Sequence, residues 1–473
     1  MLKLEGLIER IAGRTKVCLR QSGFDVGPYL TGLGPGGNYL TSRAIYGLST
    51  QHPFHLNLSD SCLSGSYILG CCQVESSLVI KSDVRGDELK KAGQDFVSAG
   101  LKIPIQADEE IQIKNSFLTK ALVHSHSHDP KEPENFLIKN AVAMPFVNLH
   151  GSPVKGGFFG TLSTVDLTSV YDSVVGEFAY VRVGEMSGLT VGPGRIWIKA
   201  PEAFEFKYFY EPAVLRPYVS HEPGQPPQGV ILEFIRQHER KLENLFSGLK
   251  TEDRPQVPES SSVSPYSVVE GSCEFGRNVF VSQRACLKNA VLGDGANVQE
   301  NCFILDSTLH GHNITAHGGK VIRAELGERV FVGFNSFLRG AEKGRLKVGR
   351  GCIIMPHTII DVREPLEAPE AHLVWGYIRR AEDLATHSLS LERLSETSGE
   401  LSLGNMTFTG EGSEFVKTFS HRLEHILRDN GAFFDGREGK GHAQKCRHLT
   451  YHLLEPFPDG DFEGIFPTIS IRP

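Results

Sequence analysis

The sequence predicts an all-β solenoid with added helices, made of two parallel β-helices in tandem, and three observations carry that prediction. First, a large apolar residue recurs at every sixth position or close to it in four stretches: Val269, Phe275, Val281, Leu287; Leu292, Val298, Ile304; Leu326, Val332, Leu338; and Val348, Ile354, Ile360. Second, glycine follows the large residue at Gly276, Gly293, Gly327, Gly333 and Gly349. Third, a more degenerate copy of the step runs through Ile68, Val74 and Ile80, and again through Phe159/Val165 and Val175/Val181. A helix repeats its side chains at about 3.6 residues and a strand at 2.0, so neither gives this period. A chain that turns a corner every six residues does, if it coils into a three-sided prism with the large residue pointing inward. Such coils bury their core only by stacking on one another.

At 473 residues the chain is long enough for two or three domains with real cores. Its 50 glycines exceed the usual share, as corner-rich coils require. The net charge of −7 and the absence of a long basic run give nucleic-acid or anionic-membrane binding no support. No apolar stretch approaches the length of a membrane span. Nine scattered cysteines, odd in number and adjacent only at Cys71-Cys72, favour reduced thiols and a cytoplasmic setting over a disulfide framework. The adjacent pair reads as core, since buried thiols behave as small hydrophobes.

The elements follow in chain order. Residues 1–55 begin with an amphipathic helix, Met1 to Gly13, without a signal-peptide core. A Gly-rich run, Gly32 to Asn38, then lacks the Lys-Ser/Thr ending of a phosphate-binding loop. Residues 56–200 form the first prism, interrupted by a polar loop at 88–110. Residues 201–258 hold a Pro-rich stretch and a helix from Gly229 to Phe246, with Ile231, Ile235, Leu242 and Leu245 on one face and Arg236, Glu239 and Arg240 on the other. A Glu/Ser/Pro linker, Glu252 to Pro265, leads into the second prism at 259–365. Residues 366–473 carry helical patterns at about 379–394 and 413–430. The latter has a stripe of Phe415, Phe419, Leu423, Ile426 and Leu427, with Gly431 as its stop. The basic tail, Arg437 to His452, reads as surface. Two solenoids separated by a helix suggest a fused duplication, which can set both prisms side by side and form sites within one chain.

Five short motifs carry candidate chemistry: Arg85-Gly86-Asp87-Glu88, Val123-His124-Ser125-His126-Ser127-His128-Asp129, Asn148-Leu149-His150-Gly151, Asn297-Val298-Gln299-Glu300 and Ala316-His317. Together with the repeats they resemble the left-handed β-helix of the hexapeptide-repeat superfamily, and within it the γ-class carbonic anhydrases. The resemblance implies a homotrimer acting on a small molecule, a zinc ion, and an interface ion pair from Arg85 and Asp87. It implies His124 as one zinc ligand and His150 as another, although Pro145 stands where the partner of His150 belongs. Extended-strand geometry offers a third: residues i and i+2 face the same way about 6.6–7 Å apart, so His126 joins His124 and His150, while His128 lies roughly 13 Å from His124. In the second prism Lys288, Ala290, Leu305 and Ile322 replace the remaining motif residues. His317 is left alone there, and a single imidazole does not hold a catalytic zinc. The second prism is therefore expected to have lost its metal.

Three functions follow. The first is a zinc-dependent enzyme activating water for hydration or hydrolysis, with Glu88, Glu132 or Glu134 moving protons. The second is an acyltransferase using acyl-CoA, with His150 beside Asn148, or His128 oriented by Asp129, as general base. The third is a non-catalytic trimeric scaffold.

Overall fold

The computed structural model describes the whole chain except residues 1, 32–41, 49–54, 99–100, 127–134, 244, 251–254, 438, 459 and 473. The Gly-rich run and the candidates His128, Asp129, Glu132 and Glu134 lie outside the described residues. The first helix is Leu2–Cys18, and its Leu4, Leu7 and Ile11 are buried in the core of the first prism.

One wall of that prism is a parallel stack of Ala44–Leu48, Tyr67–Glu75, Asp83–Glu88, Leu122–His126, Asn148–His150, Thr164–Asp166, Tyr180–Arg182 and Arg195–Ala200. Its inward column runs through Tyr46, Ile68, Val84, Val123, Leu149, Val165 and Val181, all in register and buried. The prism thus starts at Ala44, a coil earlier than the predicted 56. The interruption at 88–110 contains an antiparallel hairpin, Asp95–Ser98 with Leu101–Pro104.

The second prism has three parallel faces of eight, seven and six strands, the eight-stranded face ending in an antiparallel member. Val281, Val298, Thr315 and Val332 are in register, so a coil here takes seventeen residues. The six-residue step supplies one inward residue per face. Coils continue through Tyr377–Ile378, past the predicted end at 365. Corners need the left-handed backbone region, which Asn tolerates better than most residues. Asn301 (φ 59°) and Asn335 (φ 51°) occupy the same corner two coils apart. The recurrent glycines have a different cause. A Cβ on Gly327 would meet the Arg350 backbone N at 2.6 Å, so glycine there lets successive coils approach.

Ser388–Ser390 interrupts the helix expected at 379–394, leaving helices Ala381–His387 and Leu391–Ser395. It pairs antiparallel with His372–Val374 of the last coil, and an available ladder outweighs local helix propensity. The C-terminal region also covers both ends of the first wall. Thr450–Leu454 pairs antiparallel with Ala44–Leu48. At the other end Phe204–Phe209 turns back on Arg195–Ala200 and pairs with the hairpin Ser398–Leu403/Met406–Glu411. Open strand edges invite pairing with other chains, and both are occupied here.

The helix Val230–Glu243 forms as predicted and lies between the prisms, with Phe234 against Phe303 and Phe337 of the second. Direct bonds join the two walls. His357 meets the Phe178 carbonyl through Nδ1 at 3.0 Å and the Thr164 hydroxyl through Nε2 at 2.9 Å. Arg284 donates to Asp83 at 2.9 Å and to the Gly65 carbonyl at 2.6 Å.

Gly327→Ala should cost about 1–3 kcal/mol in urea unfolding, as overpacking does. His357 makes the fold acid-sensitive, since burial pushes its imidazole from an ordinary 6.5 down to about 3. As pH falls through 6.5 the unfolded chain takes up a proton that the folded chain refuses until about 3. Stability is therefore full above pH 6.5 and declines between those values, and His357→Gln should make that decline shallower in pH-resolved denaturant titrations.

Candidate active site

On the first wall, the residue after each inward aliphatic faces out, and register stacks Arg85, His124, His150 and Asp166 in one column. Neighbouring strands lie about 4.8 Å apart, so the side chains of this column touch in sequence. The second prism answers with Glu300, His317 and Phe334, each at the same place on successive seventeen-residue coils.

Three imidazoles meet where the columns face each other. His124, His150 and His317 each offer one ring nitrogen, and these atoms all lie within 4.8 Å of one another. His124 Nδ1 is 3.3 Å from His317 Nε2. A tetrahedral ion with bonds of about 2.0–2.1 Å holds its nitrogens about 3.3–3.4 Å apart, so the donor set fits a transition-metal ion such as zinc. Carboxylates fix two of the rings. His150 Nδ1 sits 2.8 Å from Asp166 Oδ1. His317 Nδ1 sits 2.6 Å from Glu300 Oε2, although off the angle of a full hydrogen bond. Each arrangement turns Nε2 toward the shared centre, as metal-ligating histidines do. Burial pushes His150 down to about 4 against the pull of Asp166. His317 is held well below its usual value by burial and then by His124. Both are neutral at pH 7, the state that ligation requires.

The supporting charges are buried and shared between prisms. Arg85 donates to Asp87 beside it and, across the boundary, to Glu300 and the Ser282 hydroxyl. Asp166 takes Arg422 through both oxygens at 2.7 and 3.0 Å and also the Tyr180 hydroxyl. Burial raises Asp166, but Arg422 and His150 outweigh it and hold the carboxyl well below its ordinary range. Glu88 Oε1 lies 3.3 Å from His124 Nε2 and 3.4 Å from His442 Nε2. Burial alone would raise Glu88, yet these imidazoles keep it well below the usual carboxylate value. A cleft of about 270 Å³ opens over the cluster, with Phe331 and Phe334 on one side and Thr418, His421, Arg422 and His425 of the helix Gly412–Asp429 on the other.

Of the predicted residues, His124 and His150 come together as expected. His126 lines the cleft with its ring 5.5 Å from that of His150, but the third nitrogen belongs to His317. The strand shifts register between His124 and His126, so the regular i, i+2 geometry assumed for them does not hold. The second prism was expected to have lost its metal; its lone imidazole, His317, stands with His124 and His150 of the first prism, one ring nitrogen of each within 4.8 Å of the others. Arg85 and Asp87 support the site from beneath it. Asn148 turns away, donating Nδ2 to Thr164 Oγ1 at 3.2 Å and lining a separate small cavity with Lys320. Asp166, Arg182 and Arg422 escaped sequence reasoning. The available signal was spacing: Asp166 lies one coil beyond His150, and Glu300 one coil before His317.

These coils define a hexapeptide-repeat protein. The family model described as "Hexapeptide repeat including loop" matches residues 101–223. A crystal structure from Desulfovibrio desulfuricans G20, named a "putative acetyltransferase", is 49% identical over 100% of this chain and 99% of that one, with a TM-score of 0.93. At that identity over the full length, the chain belongs to the same family as the Desulfovibrio protein. A Bacillus cereus structure of the same given name is 14% identical over 33% of this chain and 79% of its own, with a TM-score of 0.18, and carries no argument. No curated protein matches.

Glu300→Ala would strip the buried Arg85 of one partner and His317 of its carboxylate. It should cost about 3–5 kcal/mol in urea unfolding, the range for breaking a buried ion pair from one side.

Proposed function

We propose that this cleft is the reaction centre of an enzyme acting on acyl groups, built around a divalent transition-metal ion held by His124, His150 and His317. The observation that carries the reading is the convergence of three buried imidazoles within 4.8 Å, two of them oriented by carboxylates. Such an ion supplies Lewis acidity and, near neutral pH, a hydroxide nucleophile. The chain's own groups supply the rest. Asp166 and Glu300 hold the His150 and His317 rings in place. Glu88 stands at the cleft with Oε1 against His124 Nε2 and His442 Nε2, where it would hold those rings. Phe331 and Phe334 restrict water on one side.

Kinship to the Desulfovibrio protein favours acyl transfer over the hydration chemistry of carbonic anhydrases. That kinship also sustains a second reading, transfer from acyl-CoA without a metal. His150 then serves as general base, with Asp166 holding Nδ1 and Nε2 free to take a proton from the acceptor.

Elemental analysis of protein purified without chelator separates the two. The first reading expects about one zinc-class ion per chain, lost in His317→Ala and in His150→Ala. Metal-free protein whose melting temperature rises with acetyl-CoA, and whose transfer activity vanishes in His150→Ala but persists in His317→Ala, establishes the second and removes the first.

A further inference from the structure

We propose that Arg182 binds the carboxylate of a small substrate whose short apolar chain lies against Phe331 and Phe334, so that the compound handled in the cleft is itself a monoanion. The proposal rests on reading the cleft as a reaction centre, and it names the class of molecule that enters.

Asp166 faces two guanidinium groups but satisfies only one. A carboxylate has about four acceptor positions. Here His150 Nδ1 and one Arg422 nitrogen reach Oδ1, while the other Arg422 nitrogen and the Tyr180 hydroxyl reach Oδ2. Arg182 stands 3.9 Å from Oδ2, outside hydrogen-bond range, with 20% of its side chain exposed. Among the described residues its guanidinium makes no hydrogen bond. A planar five-donor cation left in a sheltered cleft lacks the partner that its burial calls for.

The geometry of the cation sets the ligand. Arg182 and Arg422 face the single carboxylate of Asp166, whose acceptor positions Arg422, His150 and Tyr180 already fill. A ligand carboxylate matches the unfilled guanidinium fork of Arg182 in two parallel bonds. The Glu88 carboxyl at the His124 end of the same cleft disfavours a ligand of higher charge, such as a phosphate dianion. Arg182 occupies the outward column two coils beyond His150, about 10 Å along the stack at the usual strand spacing. A chain of a few carbons spans that gap, and Leu167, Ile314, Phe331 and Phe334 supply apolar lining for it.

Calorimetric titration of the full-length protein, as purified and after chelation, with butanoate and with its neutral counterpart butanamide tests this. Butanoate is expected to bind both forms at least tenfold tighter than butanamide. Arg182→Gln should lose that preference without change in metal content, and Arg182→Lys should keep part of it, since lysine offers charge without the fork. Equal affinity for the two probes, no binding of butanoate, or an Arg182→Gln protein binding butanoate within twofold of wild type overturns the proposal. Should Arg182→Gln fail to fold, Arg182→Lys binding as tightly as wild type overturns it instead. His317→Ala removes a metal donor and leaves Arg182 intact, so a preference that persists there while wild type carries no metal refutes the metal reading alone and upholds this one.

Discussion

The structure depends on buried charges, several of which find partners across the boundary between the two prisms or on the C-terminal helix. Arg85 reaches Asp87 on its own strand and Glu300 on the opposite wall. Asp83 takes Arg284 from the second prism, and Asp166 takes Arg422 from the C-terminal helix. An unpaired charge in such a setting costs several kcal/mol, so sliding one prism by a single coil would strand several groups at once. The charges thus specify a register that apolar packing alone, being non-directional, would leave loose. The register in turn brings His317 opposite His124 and His150.

Apolar contact supplies the area behind that specificity. Each prism has its own stacked core, and a third cluster of aromatic side chains joins Tyr208, Tyr210 and Phe234 to Phe337, Trp375 and Phe415. The C-terminal segment does two jobs in this arrangement. Its strands occupy the edges of the first wall, and its helix Gly412–Asp429 forms one side of the cleft. A bare solenoid would present the histidine column on an open flat face. Here that column sits at the bottom of a partly closed volume.

The electrostatics of the cleft follow from that enclosure. Burial keeps His150 and His317 neutral, while the Asp166 carboxyl stays ionised because Arg422 and His150 hold it well below its ordinary range. Neutral donors and fixed acceptors side by side are the state in which imidazole serves as ligand or as base. The same enclosure leaves the Arg182 guanidinium without a hydrogen bond among the described residues.

Much of the architecture was legible in the sequence. The six-residue step gave the coils, because every coil must place a large residue inside on each of its faces. The helices at Val230–Glu243 and Gly412–Asp429 announced themselves by amphipathic spacing. His124, His150 and Glu88 stood out as chemistry-bearing residues, and the fused duplication suggested sites within one chain. The strand Ser388–Ser390 did not, since its ladder partner lies on a coil that local propensity cannot see. Nor did the role of His317, which lies 193 residues from His124 and shares no local motif with it. Sequence alone determined what each coil is, because coil geometry is local and periodic. Which coil faces which was decided only by tertiary structure, because that register is set by pairing buried charges on segments far apart in the chain.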